Sequence, residues 1–311
     1  MQSTSPLDSI KNITVAEKEP QRLIDFLISS LPELKRTRIK QMLIHRQVAV
    51  DGKVVTRATA EVAPGQEVSV NFSREFQEFH HRRIRLVYED DDIIVIEKGY
   101  GLLSVGNESF TPTGEVAEQS GPVKETAYSI LRDYVKWKDP RNKIFIVHRL
   151  DRDTSGLMMF AKNIEAKDAM QHNWDNMVMS RQYVCVVDGE PDPAVGIMRS
   201  YLAETSRYEV YSSPTEVKGS KLAVTRYRAV AGNGKHTMLE VELDTGRKNQ
   251  IRVHMKELGT PISGDRRYGG KPCLAHRLCL HARTLKFVHP VTRKAMEFES
   301  VIPQAFFKMV K

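Results

Sequence analysis

One segment of the chain gathers most of its candidate chemistry. Val147-His148-Arg149-Leu150-Asp151-Arg152-Asp153-Thr154-Ser155-Gly156 lies between two apolar stretches, the second running from Leu157 to Ala161. A polar run between strands is a loop at a strand end, where a rigid scaffold can hold reactive groups. It carries the carboxylate of Asp151 among arginines, and Thr154, Ser155 and Gly156 form a tight polar turn. A carboxylate kept ionised beside a substrate can act as a nucleophile. The same residues would equally make an ion-paired surface turn, and residue types alone leave both readings open. Asp151 and Asp153 together also offer the two carboxylates of a glycosidase.

Two other clusters invite a chemical reading. Cys273, His276, Cys279 and His281 form C-x-x-H-x-x-C-x-H, a spacing found among zinc ligands. Leu278 and Leu280 alternate with Cys279 and His281, however, as on a half-buried strand, so no metal is expected there. Lys35, Arg36, Arg38 and Lys40 crowd one short stretch, where they suit either adjacent RNA phosphates or a solvated helix face. The chain has no phosphate loop and no dinucleotide fingerprint, and no cofactor is expected.

The elements that must hold these residues can be read from periodicity. In the 311-residue chain Lys and Arg number 47 against 39 Asp and Glu, a net charge of +8, which fits a polyanionic partner or simple solubility. Three cysteines make no disulfide framework and point to a reducing compartment. No stretch approaches the roughly 18 apolar residues of a membrane span. Residues 1–19 read as a polar arm without a signal core or an arginine, so a cytoplasmic protein is expected. In residues 20–72, Leu23, Ile24, Phe26, Leu27 and Leu31 fall at helical spacing before Pro32. A basic helix over about 36–46 turns Ile39 and Leu43 inward, Asp51-Gly52 marks a hairpin, and Val68, Val70 and Phe72 alternate as a strand.

A charged linker, 73–85, leads to the larger remainder, 84–311. There, strands are predicted at 84–87, 93–96, 144–147, 222–230 and 237–243, helices at 124–137 and 247–258, and a long surface loop at 104–123.

Residues 20–72 resemble the small S-four-like RNA-binding domain, which makes the basic helix an expected RNA contact. In the remainder, H-R-L-D-x-x-T-S-G is the catalytic signature of the RluA-type pseudouridine synthase family, complete here. Arg181-Gln182-Tyr183, Lys221 to Tyr227, Thr245 to His254, Gly259 to Asp265 and Leu280-His281-Ala282 are similar to further segments of that family, in its order. The resemblance implies an α+β fold, with a mixed, largely antiparallel sheet, flanking helices and a central cleft. It implies isomerisation of uridine to pseudouridine in structured RNA, with ribosomal RNA as first expectation and transfer RNA as the alternative. A non-catalytic RNA-binding or assembly protein of the same fold is the rival from another class.

By motif position, Asp151 is the implied nucleophile, Arg252 its basic partner, and Tyr183 the ring against the target uracil. An adjacent Arg lowers a carboxylate pKa by roughly 1–3 units, which would keep Asp151 charged. The Tyr183 phenol is also offered as a group that helps remove the carbon 5 proton. Arg149 matches the residue that fills the gap left by a flipped-out uridine, and His148 and Arg247, from the same motifs, join the expected RNA contacts. Asp153 occupies a variable position, which weakens the glycosidase reading. No partner other than RNA is implied, and a monomer is expected. Three positions depart from the family pattern. Lys98-Gly99-Tyr100-Gly101 replaces K-P-x-G, Asn249 stands where His is common, and Arg181 replaces Lys.

Overall fold

A computed structural model of the chain describes residues 10–16, 19–72, 79–106 and 125–311, which fall into two units divided after His80. The first contains β1 (Ile10–Thr14), β2 (Gln21–Arg22), α1 (Leu23–Ser30), α2 (Arg36–Ile44), β3 (Val48–Val50), β4 (Lys53–Val54), β5 (Glu61–Val62) and β6 (Glu67–Asn71). Leu23, Ile24, Phe26 and Leu27 of α1 and Ile39, Met42 and Leu43 of α2 bury their apolar faces against Val48, Val62, Val68 and Val70. Asp51 and Gly52 both take positive φ, 47° and 75°, the conformation that closes a two-residue hairpin between β3 and β4. On α2, Lys35 (its N-cap), Arg36, Arg38 and Lys40 are all exposed, and none forms an ion pair among the described residues.

The expected polar arm is corrected here. Residues 10–14 are a strand, paired antiparallel with β6 from Ile10↔Asn71 to Thr14↔Glu67. Val15 is buried and Ile13 packs against the same core, so burial of two apolar residues two apart outweighs the polarity of their neighbours. The pairing also covers an edge of β6 that would otherwise expose its backbone groups. Residues 1–9, 17–18 and 73–78, the rest of the arm and much of the linker, lie outside the described residues, as does most of the expected loop at 104–123.

The second unit is built on an eleven-stranded sheet. Its strands are β7 (Ile84–Glu89), β8 (Ile93–Lys98), β9 (Phe145–Ile146), β10 (Ser155–Ala161), β11 (Val178–Asp188), β12 (Val195–Glu204), β13 (Val210–Ser213), β14 (Lys221–Gly232), β15 (His236–Leu243), β16 (Leu280–Val288) and β17 (Ala295–Glu299). The helices are α3 (Ala127–Lys138), α4 (Ile164–His172), α5 (Trp174–Met177), α6 (Gln250–Glu257) and α7 (Gln304–Met309). The main order is β13-β12-β14-β15-β11-β16-β10-β8-β7, with β17 on β16 and β9 on β10. Every named pairing is antiparallel except β10 with β16. All seven residues of β10 are buried, in keeping with its apolar run from Leu157 to Ala161. Helix α3 starts on a reciprocal cap, in which Thr126 accepts from the Ser129 backbone N–H and Ser129 from that of Thr126. The helix expected at 247–258 begins only at Gln250, because Asn249 takes a left-handed φ of 55°.

Register in the middle of the sheet assembles the site. Gly156 on β10 and Tyr183 on β11 both sit opposite Ala282 on β16. One row across three strands therefore joins the start of β10, directly after the Asp151 loop, to Tyr183. Gly156 has φ 114°, and a Cβ there would stand 2.1 Å from the Ala282 carbonyl oxygen. Glycine at this motif position is what allows β10 to enter beside β16. Among the described residues no helix is long and apolar enough to cross a membrane.

Candidate active site

Asp151 lies on a loop held at several points. The Ser104 hydroxyl donates to the Leu150 carbonyl (2.6 Å) and accepts from the Leu150 N–H (3.1 Å). The Lys98 ammonium, without solvent exposure, donates to the carbonyls of Arg152 (3.1 Å), Leu102 (2.8 Å) and Gly99 (3.1 Å). Burial pushes the Lys98 amine down to about 7, against the pull of Asp151 and Asp153. At the loop's exit, the Arg277 guanidinium donates to Ser155 Oγ (2.6 Å), which is also bonded to His281 Nδ1 (2.8 Å).

Arg252 reaches this loop from α6, but its strongest partner is elsewhere. Its Nε and Nη2 donate to Asp265 Oδ2 and Oδ1 at 2.7 and 2.8 Å, a bidentate pair with a carboxylate that has no solvent exposure. Nη1 donates to Asn249 Oδ1 (3.1 Å) and stands 3.7 Å from Asp151 Oδ2, an ion pair without a close hydrogen bond. Asn249 in turn donates to the Tyr268 hydroxyl (2.9 Å), whose ring lies 4.9 Å from the Arg252 guanidinium carbon. Asn249, where the family often has His, thus serves as a hydrogen-bond relay with no titrating group.

The electrostatic expectation for Asp151 is also corrected. Its side chain is only 24 % exposed, and burial raises its carboxyl above the usual carboxylate range despite Arg252, Arg149 and Lys98, with Asp265 adding to the rise. Arg252 is already largely neutralised by Asp265, so its charge is shared and cannot overcome desolvation.

Asp151 opens into a cavity of about 460 Å³, also lined by Tyr183, Arg181, Trp174, His148 and Arg149. That is within the range of small-molecule sites. The Tyr183 hydroxyl has no hydrogen-bond partner among the described residues, and burial raises its pKa, so the phenol stays protonated at neutral pH. The Arg181 guanidinium lies 5.7 Å from the centre of the Trp174 ring. A Cβ on Gly246 would come within 2.5 Å of Arg181 Nη1, so a side chain there would make the Arg181 guanidinium shift. Arg149 is exposed at the mouth and unpaired among the described residues. Arg247 is exposed and donates to the Leu222 carbonyl (3.0 Å).

Asp151, Tyr183, Arg252, Arg149 and Arg247 therefore gather around one cavity, whereas Lys35, Arg36, Arg38 and Lys40 belong to the other unit. His148 lines the cavity too, but its Nε2 accepts the Met159 N–H (2.9 Å) and its ring packs 5.0 Å from Trp174. Burial lowers its pKa to about 3, so it is neutral and offers no charge to a phosphate. Sequence reading gave no role to Asp265, Lys98, Arg277 or Tyr268. Asp265 and Lys98 stood inside quoted segments, and only their tertiary partners disclose what they do.

The zinc-like spacing does not converge. His281 spends both ring nitrogens on Ser155 and Ser300, while Cys273 and Cys279 approach each other at 3.6 Å. Asp90, Asp92 and His289 come closer to a ligand cluster. There His289 Nδ1 accepts the N–H groups of Val291 and Thr292, so Nε2 carries the proton it donates to Asp90 (3.0 Å). The cluster closes a turn.

Both units are similar to known proteins. Residues 92–257 match the family of RNA pseudouridylate synthases, and residues 21–68 match the S4 domain. The "ribosomal large subunit pseudouridine synthase D" of Vibrio cholerae is 31% identical over 306 residues, covering 93% of this chain and 90% of that protein. The protein of the same name from Escherichia coli strain K12 is 32% identical over 321 residues, covering 96% and 92%. The structure of human RNA pseudouridylate synthase domain containing 4 shares the fold, with a TM-score of 0.56 at 21% identity over 71% of this chain and 90% of that one. With the signature loop, the sheet register and the family match coinciding over the catalytic unit, the chain belongs to the RNA pseudouridine synthase family.

Proposed function

We propose that the protein isomerises uridine to pseudouridine in ribosomal RNA, with Asp151 as nucleophile toward a flipped-out nucleotide. The observation that carries this reading is the meeting of the Asp151 carboxylate, the Arg252 ion pair and the Tyr183 ring in one cavity. The reaction breaks the bond between ribose C1′ and uracil N1 and forms one between C1′ and C5. N1 gains a proton and C5 loses one, with no redox change and no water consumed. The chain's own groups suit these needs. Asp151 attacks when ionised, and Arg252 favours that form from a position fixed by Asp265. Tyr183 offers a ring for the uracil, a stack worth about 1–3 kcal/mol. Its protonated phenol can take up the C5 proton only by passing on its own.

A stacked uridine cannot reach such a cavity, so it must leave its helix or loop. Arg149, exposed and unpaired at the mouth, suits the vacated space or an adjacent phosphate. The basic face of α2 supplies a second, sequence-independent hold on RNA phosphates. Ribosomal RNA is favoured over transfer RNA because the Vibrio and Escherichia relatives are named for the large ribosomal subunit. In this reading the protein works as a monomer in the cytoplasm without a cofactor. The test is tritium release from carbon 5-labelled uridine in transcribed large-subunit ribosomal RNA, with Asp151→Asn beside the unaltered protein. Release by the unaltered protein alone is expected. Equal release by both proteins, or by neither, overturns the reading.

A further inference from the structure

Two cavities meet at Asp151, and the uridine proposed above occupies one. The second, about 750 Å³, shares Asp151, Arg149 and Arg252 with the first and extends along Tyr100, Arg266 and Arg277. Its chemistry differs from that of the first. Arg149 and Arg266 are exposed and have no ion pair among the described residues. Tyr100 is an aromatic residue 51% exposed in the midst of these cations.

Tyr100 is also held in an unusual way. The Arg277 guanidinium carbon lies 4.5 Å from the centre of the Tyr100 ring. Arg277 is itself fixed by donating to Ser155 Oγ (2.6 Å) and to the carbonyls of Leu278 (3.0 Å) and Leu280 (3.2 Å). The tyrosine ring is therefore backed by an anchored planar cation while half of it remains open to solvent. Arg267, which also lines this chamber, donates to the carbonyl of Tyr208 (2.8 Å). An exposed aromatic face among unpaired arginines is a surface that an unpaired nucleotide favours, because every base has a π-face and every nucleotide a phosphate.

We propose that the second chamber is a subsite for an unpaired nucleotide next to the target uridine in the same strand, its base stacked on Tyr100 and its phosphates against Arg149 and Arg266. This rests on the function proposed above. It gives the Lys98-Gly99-Tyr100-Gly101 turn a role beyond holding the loop. Lys98 fixes the Asp151 turn from below, and Tyr100, two residues on, receives the neighbour of the nucleotide that Asp151 attacks. The subsite selects for a strand that is open beside the uridine, whatever the base.

The test uses oligoribonucleotides cut from a ribosomal RNA region that the unaltered protein modifies, each with an abasic ribose at one position flanking the uridine. For the unaltered protein, one such position should raise KM on the order of tenfold, as loss of one base stack implies, with kcat kept. Tyr100→Ala should raise KM similarly on intact RNA, and the abasic ribose should then add nothing. Tyr100→Phe should restore the lower KM, and Arg266→Ala should raise KM with a shallower salt dependence. If every flanking abasic ribose leaves the unaltered protein's KM unchanged, or if the Tyr100→Ala and abasic penalties add in full at every position, the subsite is wrong. The abasic and Tyr100→Phe arms decide the matter even if Tyr100→Ala folds poorly. Failure of the unaltered protein to release tritium from any ribosomal RNA would instead sink the function on which the subsite rests.

Discussion

Arg252 grips Asp265 through two hydrogen bonds of 2.7 and 2.8 Å, while its Nη1 stands 3.7 Å from Asp151. The guanidinium is thus pre-positioned by a buried carboxylate, and its approach to Asp151 is the residual valence of that pair. Removing Asp265 strands a largely buried cation, which costs about 3–5 kcal/mol. Asp265→Ala is therefore expected to lower the melting temperature and kcat together. Asp265→Glu, which keeps the charge but lengthens the arm, should recover more stability than activity. Thermal denaturation and tritium release on the same preparations check this. A stable, fully active Asp265→Ala protein would show that Arg252 needs no anchor.

Asp151→Asn should abolish isomerisation without destabilising the fold. The amide is nearly isosteric and a poor nucleophile, and Arg252 keeps Asp265, so no charge is stranded. Burial raises the Asp151 pKa, so ionising this group opposes folding at neutral pH, and the neutral amide relieves that cost. A melting temperature equal to or above that of the unaltered protein is expected, with RNA affinity retained. Asp153→Asn should remain active. A clear fall in melting temperature for Asp151→Asn would mean that the Asp151–Arg252 pair carries stability after all.

The pH dependence of kcat/KM should have an acid limb set by Asp151. In the proposed mechanism the ionised form attacks, and the Asp151 pKa lies above the usual carboxylate value because burial is the largest influence on it. Activity should therefore fall as pH drops through that raised pKa, at a higher pH than an exposed aspartate would give. Arg252→Lys, which gives up the bidentate geometry, should move the limb higher still. Tritium release measured at saturating and subsaturating RNA across the acid range tests this. A limb at or below the ordinary carboxylate value would contradict it.

The basic face of α2 should contribute affinity through phosphates alone. Lys35, Arg36, Arg38 and Lys40 are exposed without ion pairs among the described residues. Each phosphate contact contributes about −0.7 to −0.9 to the slope of log affinity against log salt. Changing Arg36 and Lys40 to Ala in the full chain should flatten that slope by roughly one to two, with little change in kcat. Binding titrations at several salt concentrations would expose the opposite result, an unchanged slope and affinity.

The sequence by itself determined the motif order, the Asp51-Gly52 hairpin, the apolar run of β10 and the choice of Asp151, Tyr183 and Arg252 as candidate site residues. Local rules suffice there, because strand alternation, positive φ at a tight turn and a contiguous signature are written in neighbouring residues. Tertiary structure decided what depends on partners far along the chain. The three-strand row through Gly156, Ala282 and Tyr183 is one such case, and the Arg252–Asp265 pair is another. So is the raised Asp151 pKa, since desolvation depends on everything packed around a group and outweighs the single neighbour that a motif names. Ile13 and Val15 make the same point in the smaller unit. A polar stretch became a strand because two apolar side chains found a core that no local window contains.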